Sequence, residues 1–299
     1  MGFATTVVPV VQSITWMGVD VAAQLGVYPR KPSAMAELFG TEKTLVGAVH
    51  LPPLPGSPSY RGQSVAELCR FAVEETQAYV GNGFDTVIVE NHWDLPFLKP
   101  GEHGYEVAAT MGVITAAVVA ELGAKVGVSV LSNAGQCSVA AAWAAGAGWI
   151  RVNQWANAYV ANEGIIEGQA ASTTRYRHAI GADPVKVFAD VHVKHGAHAI
   201  VADRTLAEQT EDAEFFDADV LIATGSRTGH PTSVAEVVGI RDHTQLPVII
   251  GSGIDPGNVG PLLAECDGAI VASAAKENRR WWGRVDPEKV RAVARAAGR

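Results

Sequence analysis

Eight short runs rich in valine, isoleucine and alanine recur along this chain, each followed by a segment of helix length. That alternation limits the fold more than any other feature. The runs cover residues 44–50, 85–90, 125–131, 149–153, 185–194, 219–224, 247–251 and 268–273. The segments between them, at 64–81, 108–123, 137–146, 166–180, 205–215, 233–244 and 258–266, place apolar residues three and four apart, and several end in glycine. Strand followed by helix implies right-handed parallel units. Eight such units close most economically into a single (β/α)8 TIM barrel, an α/β fold, over residues 41–299. A doubly wound open sheet is the alternative, but no Gly-x-Gly-x-x-Gly turn follows the first run. Residues 1–40 precede the pattern as an N-terminal extension. Its partial stripe of Trp16, Val19, Ala22, Leu25 and Val27 predicts a helix that packs on its own subunit or reaches a neighbour.

A chain of 299 residues with 48% hydrophobic and 18% charged residues has apolar material enough for one large core. Its net charge of −8 argues against nucleic acid and anionic membrane as partners, and no run reaches the length of a membrane helix. Cys69, Cys137 and Cys266 have no paired spacing, so neither a disulfide framework nor a zinc motif is read, and a reducing, cytoplasmic setting is expected. The expected partners are a small-molecule substrate and further copies of the chain in a homo-oligomer.

Barrel enzymes build their sites at the C-terminal ends of the strands. Polar residues gather there in this sequence: His50 after the first run, Glu90-Asn91 after the second, Asn133 after the third, Arg151 and Asn153 on the fourth, and Thr224-Gly225 after the sixth. The fifth run, Val-Lys-Val-Phe-Ala-Asp-Val-His-Val-Lys-His, places Asp190, His192 and Lys194 on one face by strand alternation. A solvated surface strand would show the same alternation, but seven strands ending in polar groups together favour an inward-facing site. Gly251-Ser252-Gly253 and Ala272-Ser273, after the seventh and eighth runs, stand where barrels often bind phosphate, and Gly225 joins them. The loop 154–167, with Trp155, Asn157, Tyr159, Asn162, Glu163 and Glu167, suits a lid. Arg279-Arg280-Trp281-Trp282 reads first as packing and solvated charge, second as an edge of the entrance or a subunit contact.

These groups support acid/base chemistry by Glu90, Asp190, His192 and Lys194, with His50, Asn91, Asn133, Arg151, Asn153, Glu167 and Thr224 binding substrate. Glu90 and Asp190 are the candidate acid/base pair, and Lys194 is expected to pair with Asp190 and steady a developing oxyanion. Proton transfer beside a carbonyl, carbon–carbon cleavage, glycosidic cleavage and a Schiff base at Lys194 all remain open. No cofactor is assigned; a divalent metal on His50, Glu90, Asp190 and His192 would need a convergence that sequence does not display. A non-catalytic scaffold on a retained barrel is the rival class.

Val-Gly-Ala-Val-His-Leu-Pro-Pro-Leu-Pro-Gly-Ser-Pro (46–58), Val-Ile-Val-Glu-Asn (87–91), Ile-Arg-Val-Asn (150–153), Glu-Gly-Ile-Ile-Glu-Gly (163–168), Ala-Asp-Val-His-Val-Lys-His (189–195) and Gly-Ser-Gly (251–253) closely resemble the BtpA family, which includes the SgcQ-like proteins. The resemblance covers roughly residues 40–290. It implies a TIM barrel of the ribulose-phosphate-binding type and an enzyme acting on a phosphorylated sugar or related metabolite, in a family named for photosystem I biogenesis. The chain departs from the pattern at Asn91-His92-Trp93-Asp94, where the family has Asn-Phe-Gly-Asp. It departs again at Ser132-Asn133-Ala134, where Arg-Asn-Asp is usual, and at Ala272-Ser273, where Gly-Thr is common. These changes imply an altered substrate.

Overall fold

The computed structural model describes residues 33–41, 43–225 and 232–299, with the backbone of 15–16 and 19–20. Eight parallel strands close into a barrel in chain order: β1 (Thr44–His50), β2 (Thr86–Glu90), β3 (Gly127–Ser129), β4 (Trp149–Val152), β5 (Lys186–Asp190), β6 (Val220–Ala223), β7 (Val248–Ile250) and β8 (Gly268–Val271), with β8 pairing back to β1. Each strand lies within one of the eight sequence runs. Eight helices alternate with them: α1 (Val65–Val80), α2 (Tyr105–Leu122), α3 (Gly135–Ala145), α4 (Ala170–Ala179), α5 (Leu206–Phe215), α6 (Val234–Arg241), α7 (Val259–Ala264) and α8 (Pro287–Ala296). Capping boxes at Ser64/Glu67 and Thr205/Glu208 start α1 and α5, each satisfying two backbone donors that a helix end otherwise leaves open.

Strand alternation divides the core in two. Leu45, Val49, Val87, Val89, Val128, Ile150, Val152 and Val187 point outward, where the helices cover them. Val46, Ala48, Ile88, Trp149, Phe188, Val220, Ile222, Ile249 and Ile270 fill the barrel. Trp149 stacks on Phe188 with ring centroids 4.3 Å apart, and Phe39 meets both edge-on. Phe39 belongs to a short helix, Ala34–Phe39, that the sequence reading left in the extension. Its Ala34, Met35 and Phe39 join the interior cluster, so this helix is part of the barrel unit, which begins at Ser33.

Two further expectations change. In the unit Met1–Pro32, Thr15–Trp16 pairs antiparallel with Val19–Asp20, where the stripe predicted a helix. Thr, Trp and Val favour strands, and Gly18 disfavours a helix through them. Ala22, Leu25 and Val27 lie outside the described residues. The second concerns membranes: the stretch Tyr105–Lys125, with mean hydropathy 1.8, is long and apolar enough to cross one by length and composition. In the barrel all but its last three residues form α2, which buries Val107, Met111, Ile114 and Val118 against the strands and its neighbours, so its apolar character has a core explanation.

Candidate active site

One step up each strand from the apolar filling, the inner face becomes charged. The two-residue period that sends Ala48, Ile88, Trp149 and Phe188 inward does the same for His50, Glu90, Arg151 and Asp190, and all four are buried. Arg151 joins the two sides of the site. Its Nε and a terminal nitrogen donate to both oxygens of Asp190 at 2.9 and 3.0 Å, and its other terminal nitrogen lies 3.7 Å from Glu90. Asn153, on the same face of the fourth run, donates to Asp190 at 3.2 Å. Asp190 is thus fully engaged beneath the guanidinium and is absent from the cleft wall, so it positions Arg151. This corrects its place in the expected acid/base pair with Glu90.

Above this layer opens a cleft of about 910 Å³ at the C-terminal mouth of the barrel. His50, Glu90, Arg151, Asn153 and Lys194 form its floor. Burial opposes ionisation of Glu90, but the hydrogen bond to His50 and the charges of His50, Arg151 and His92 prevail and hold the carboxyl at about 2. His50 Nε2 lies 3.2 Å from Glu90, and its Nδ1 lies 2.8 Å from the carbonyl oxygen of Trp281. Burial pushes both His50 and His92 down, against the pull of Glu90. Lys194 extends its Nζ to within 3.4 Å of the Gly251 carbonyl, with no carboxylate at ion-pair distance among the described residues. Burial and the adjacent Arg151 charge bring it down to about 8, against the pull of Asp190 and Glu90. The expected Lys194–Asp190 pair is therefore replaced by Arg151–Asp190.

The strand ends at Asp190, and this overturns the expectation that Asp190, His192 and Lys194 share a face. Beyond it Thr224 fixes the chain by accepting from the Lys194 amide at 3.1 Å and donating to the His192 carbonyl at 3.0 Å. The bend turns His192 out of the cleft, onto His198 at 3.7 Å and toward Gln209 on α5. Lys194 stays within. Thr224 itself is fully buried and positions Lys194, so it is not in the expected substrate-binding wall.

Two other expected substrate contacts fasten loops instead, and a third is turned outward. Asn91 accepts from the Leu131 amide and donates to Asp94, whose other oxygen takes the Leu54 amide and so anchors the proline-rich first loop. Asn133 accepts from the Gln154 amide and donates to the Glu167 carbonyl. The Glu167 side chain is exposed, and Glu167 is absent from the cleft wall.

The expected phosphate groups divide as well. Ser252, Gly253, Ala272 and Ser273 line the cleft, and the Ser252 and Gly253 amides have no partner among the described residues. Gly251 also lines it, but its amide serves Ala223 in the sheet; the Gly225 amide is held by Glu236. Neither amide can take an anion in this arrangement. Gly251 is required for another reason: a Cβ there would stand 2.6 Å from Ile222 and 3.0 Å from Arg151. Gly251→Ala is expected to displace Arg151 and cost about 1–3 kcal/mol, read as a fall in melting temperature. The rest of the sixth loop, 226–231, lies outside the described residues.

The walls contain groups the sequence reading placed elsewhere. His92 follows Glu90 by two residues and faces the same space. Trp281 and Arg280 come from the connection after β8 and close one side, with the Trp281 ring 4.8 Å from His92. This favours the entrance reading of the Arg-Arg-Trp-Trp cluster over packing alone. Loop 154–167 is a hairpin, Ala158–Ala161 with Gly164–Glu167, tied to the fifth loop by the Val160–Ala197 backbone pair. It turns Tyr159, Asn162 and Glu163 to the cleft, while Trp155 is buried and bonded to the Phe216 carbonyl.

The BtpA family model matches residues 41–299. An uncharacterized protein of Archaeoglobus fulgidus is 38% identical over 256 residues, 86% of this chain and 99% of its own. Photosystem I biogenesis protein BtpA of Synechocystis is 35% identical over 261 residues, 87% and 90% of the respective chains. Among solved structures, tryptophan synthase subunit alpha from Legionella pneumophila matches with TM-score 0.54 and 15% identity over 86% of this chain and 93% of its own. N-(5'-phosphoribosyl)anthranilate isomerase from Pyrococcus furiosus matches with TM-score 0.51 and 14% identity over 86% and 98%. At such identities the structural likeness concerns the barrel alone. The extent of the family match and the level of these sequence identities are decisive: the chain belongs to the BtpA family.

Proposed function

We propose that the chain is an enzyme of the isomerase or lyase type, which moves a proton on a phosphorylated sugar or a related ribosyl metabolite at the mouth of the barrel. The observation that carries the reading is Lys194: a buried amine at the floor of a deep cleft, bonded to one carbonyl and brought to about 8. A lysine tuned toward neutrality exchanges a proton readily in either direction. Its ammonium donates to a substrate oxygen, and the fixed charge of Arg151 lies alongside. Across the cleft, ionised Glu90 with His50 and His92 forms the electron-rich end that orients the reacting group.

The Ser252 and Gly253 amides and the Arg280 side chain give the phosphate a place on the rim, and the hairpin carrying Tyr159 and Glu163 limits water. Glycosidic cleavage fits less well, because Asp190, the second carboxylate it requires on the floor, is committed to Arg151.

Thermal-shift screening tests the substrate class. A phosphosugar at about a hundred times its Kd stabilises by about 2.7 kcal/mol and raises the melting temperature by roughly 5 °C. Non-phosphorylated analogues are expected to leave it unchanged, and equal shifts from both sets would overturn the phosphate assignment.

A further inference from the structure

We infer that His50 Nε2, a carboxylate oxygen of Glu90 and His92 Nδ1 form a binding site for one divalent transition-metal ion of the zinc, cobalt or iron(II) class. The three donor atoms lie within 4.8 Å of one another. Hydrogen bonding fixes the direction of the first. A carbonyl oxygen only accepts, so His50 Nδ1 carries the hydrogen that meets Trp281 at 2.8 Å. The remaining ring nitrogen, Nε2, faces the Glu90 carboxylate at 3.2 Å, and with no proton on it presents its lone pair there. Two electron pairs so close require a cation between them.

A proton would satisfy that contact alone. It would leave His92 Nδ1, which is buried without a hydrogen-bond partner among the described residues and lies 3.8 Å from the same Glu90 oxygen. A metal ion answers all three. The donor set, two imidazoles and one carboxylate, suits zinc and iron(II), and three protein ligands leave a position open to the cleft for substrate. The Trp281 carbonyl is the kind of outer partner that orients a ligating histidine.

Three cationic side chains stand near the donors: Arg151, Lys276 and Lys194, the last bonded to the Gly251 carbonyl. Arg151 is balanced by Asp190, and buried Lys276 faces Glu75. The His50 and His92 rings are stacked at 4.3 Å with planes 12° apart, so His92 must rotate about its side-chain bonds to bring its lone pair onto the ion. This inference concerns the same cleft as the proposed reaction but needs no phosphorylated substrate. It assigns Glu90 and the two histidines as ligands and leaves Lys194 as the proton carrier.

The test uses the full chain, treated with chelator and then titrated with Co²⁺ alone, by calorimetry and by visible absorption. The expected result is one ion per chain with a ligand-field band. His92→Phe and Glu90→Gln are expected to weaken binding by at least the roughly 10–100-fold that loss of an outer partner costs. His198→Gln, outside the cleft, is expected to bind as the unaltered protein does. Circular dichroism establishes that each variant is folded. No uptake by the folded protein, or uptake indifferent to His92→Phe and Glu90→Gln together, would overturn the site and identify the shared cation as a proton. Because this titration contains no phosphosugar, it and the ligand screen can fail separately.

Discussion

Lys194→Met is expected to lower kcat/KM by about 100- to 10,000-fold, the range that a positioned proton-transfer group contributes, while the melting temperature stays level or rises. The two effects separate for a physical reason. Lys194 is buried beside Arg151, whose charge opposes its own, and its Nζ makes one 3.4 Å contact to a carbonyl. Removing the charge therefore relieves more than it breaks, and methionine occupies much the same volume. The same placement sets the pH dependence. With the amine at about 8, the ammonium is present below that pH and is lost above it. If the ammonium donates the proton, kcat/KM is flat below pH 8 and falls about tenfold per unit above it. A profile that instead rises through pH 8 would assign the neutral amine as a base, and full activity in Lys194→Met would remove the residue from the chemistry.

The barrel was legible in the sequence because a parallel strand buried on both faces must be apolar almost throughout, and eight such runs recur with helices between them. The inward register was legible for the same reason: His50, Glu90 and Arg151 end their runs two residues beyond an interior side chain. What escaped was decided by single contacts between distant parts of the chain. The alternation in Asp-Val-His-Val-Lys continues past the point where the strand stops, and the bend depends on Thr224, 30 residues from Lys194. No local period reveals that hydroxyl's reach. Trp281 meets His50 from 231 residues away, on a connection with neither strand nor long helix to give it a pattern. His92 was within reach, since it shares the spacing of Glu90, but its position past the strand end made it look like loop. Asn91 and Asn133 show the opposite error: polar residues at strand ends that bond backbone and serve the loops.

Asp190→Asn is the sharpest test of the buried layer beneath the cleft. The arrangement predicts a loss of stability whatever the substrate proves to be. Arg151 gives two buried hydrogen bonds to the Asp190 carboxylate and Asn153, half-buried at the cleft floor, gives a third. Asparagine keeps the shape but offers one accepting oxygen, presents an amide donor to a guanidinium donor, and leaves the buried Arg151 charge without its near counter-ion. Removing one partner of such a pair costs about 3–5 kcal/mol. Glu90, 3.7 Å from Arg151, remains to share the charge, which points to the lower end of that range. At about 3 kcal/mol the melting temperature falls by roughly 5 °C. Replacing both partners, as Arg151→Met with Asp190→Leu, removes the stranded charge and is expected to recover part of the loss. Turnover falls in both, because Arg151 is misplaced in one and absent in the other. An Asp190→Asn protein as stable as its parent but inactive would instead make Asp190 a group that meets the substrate.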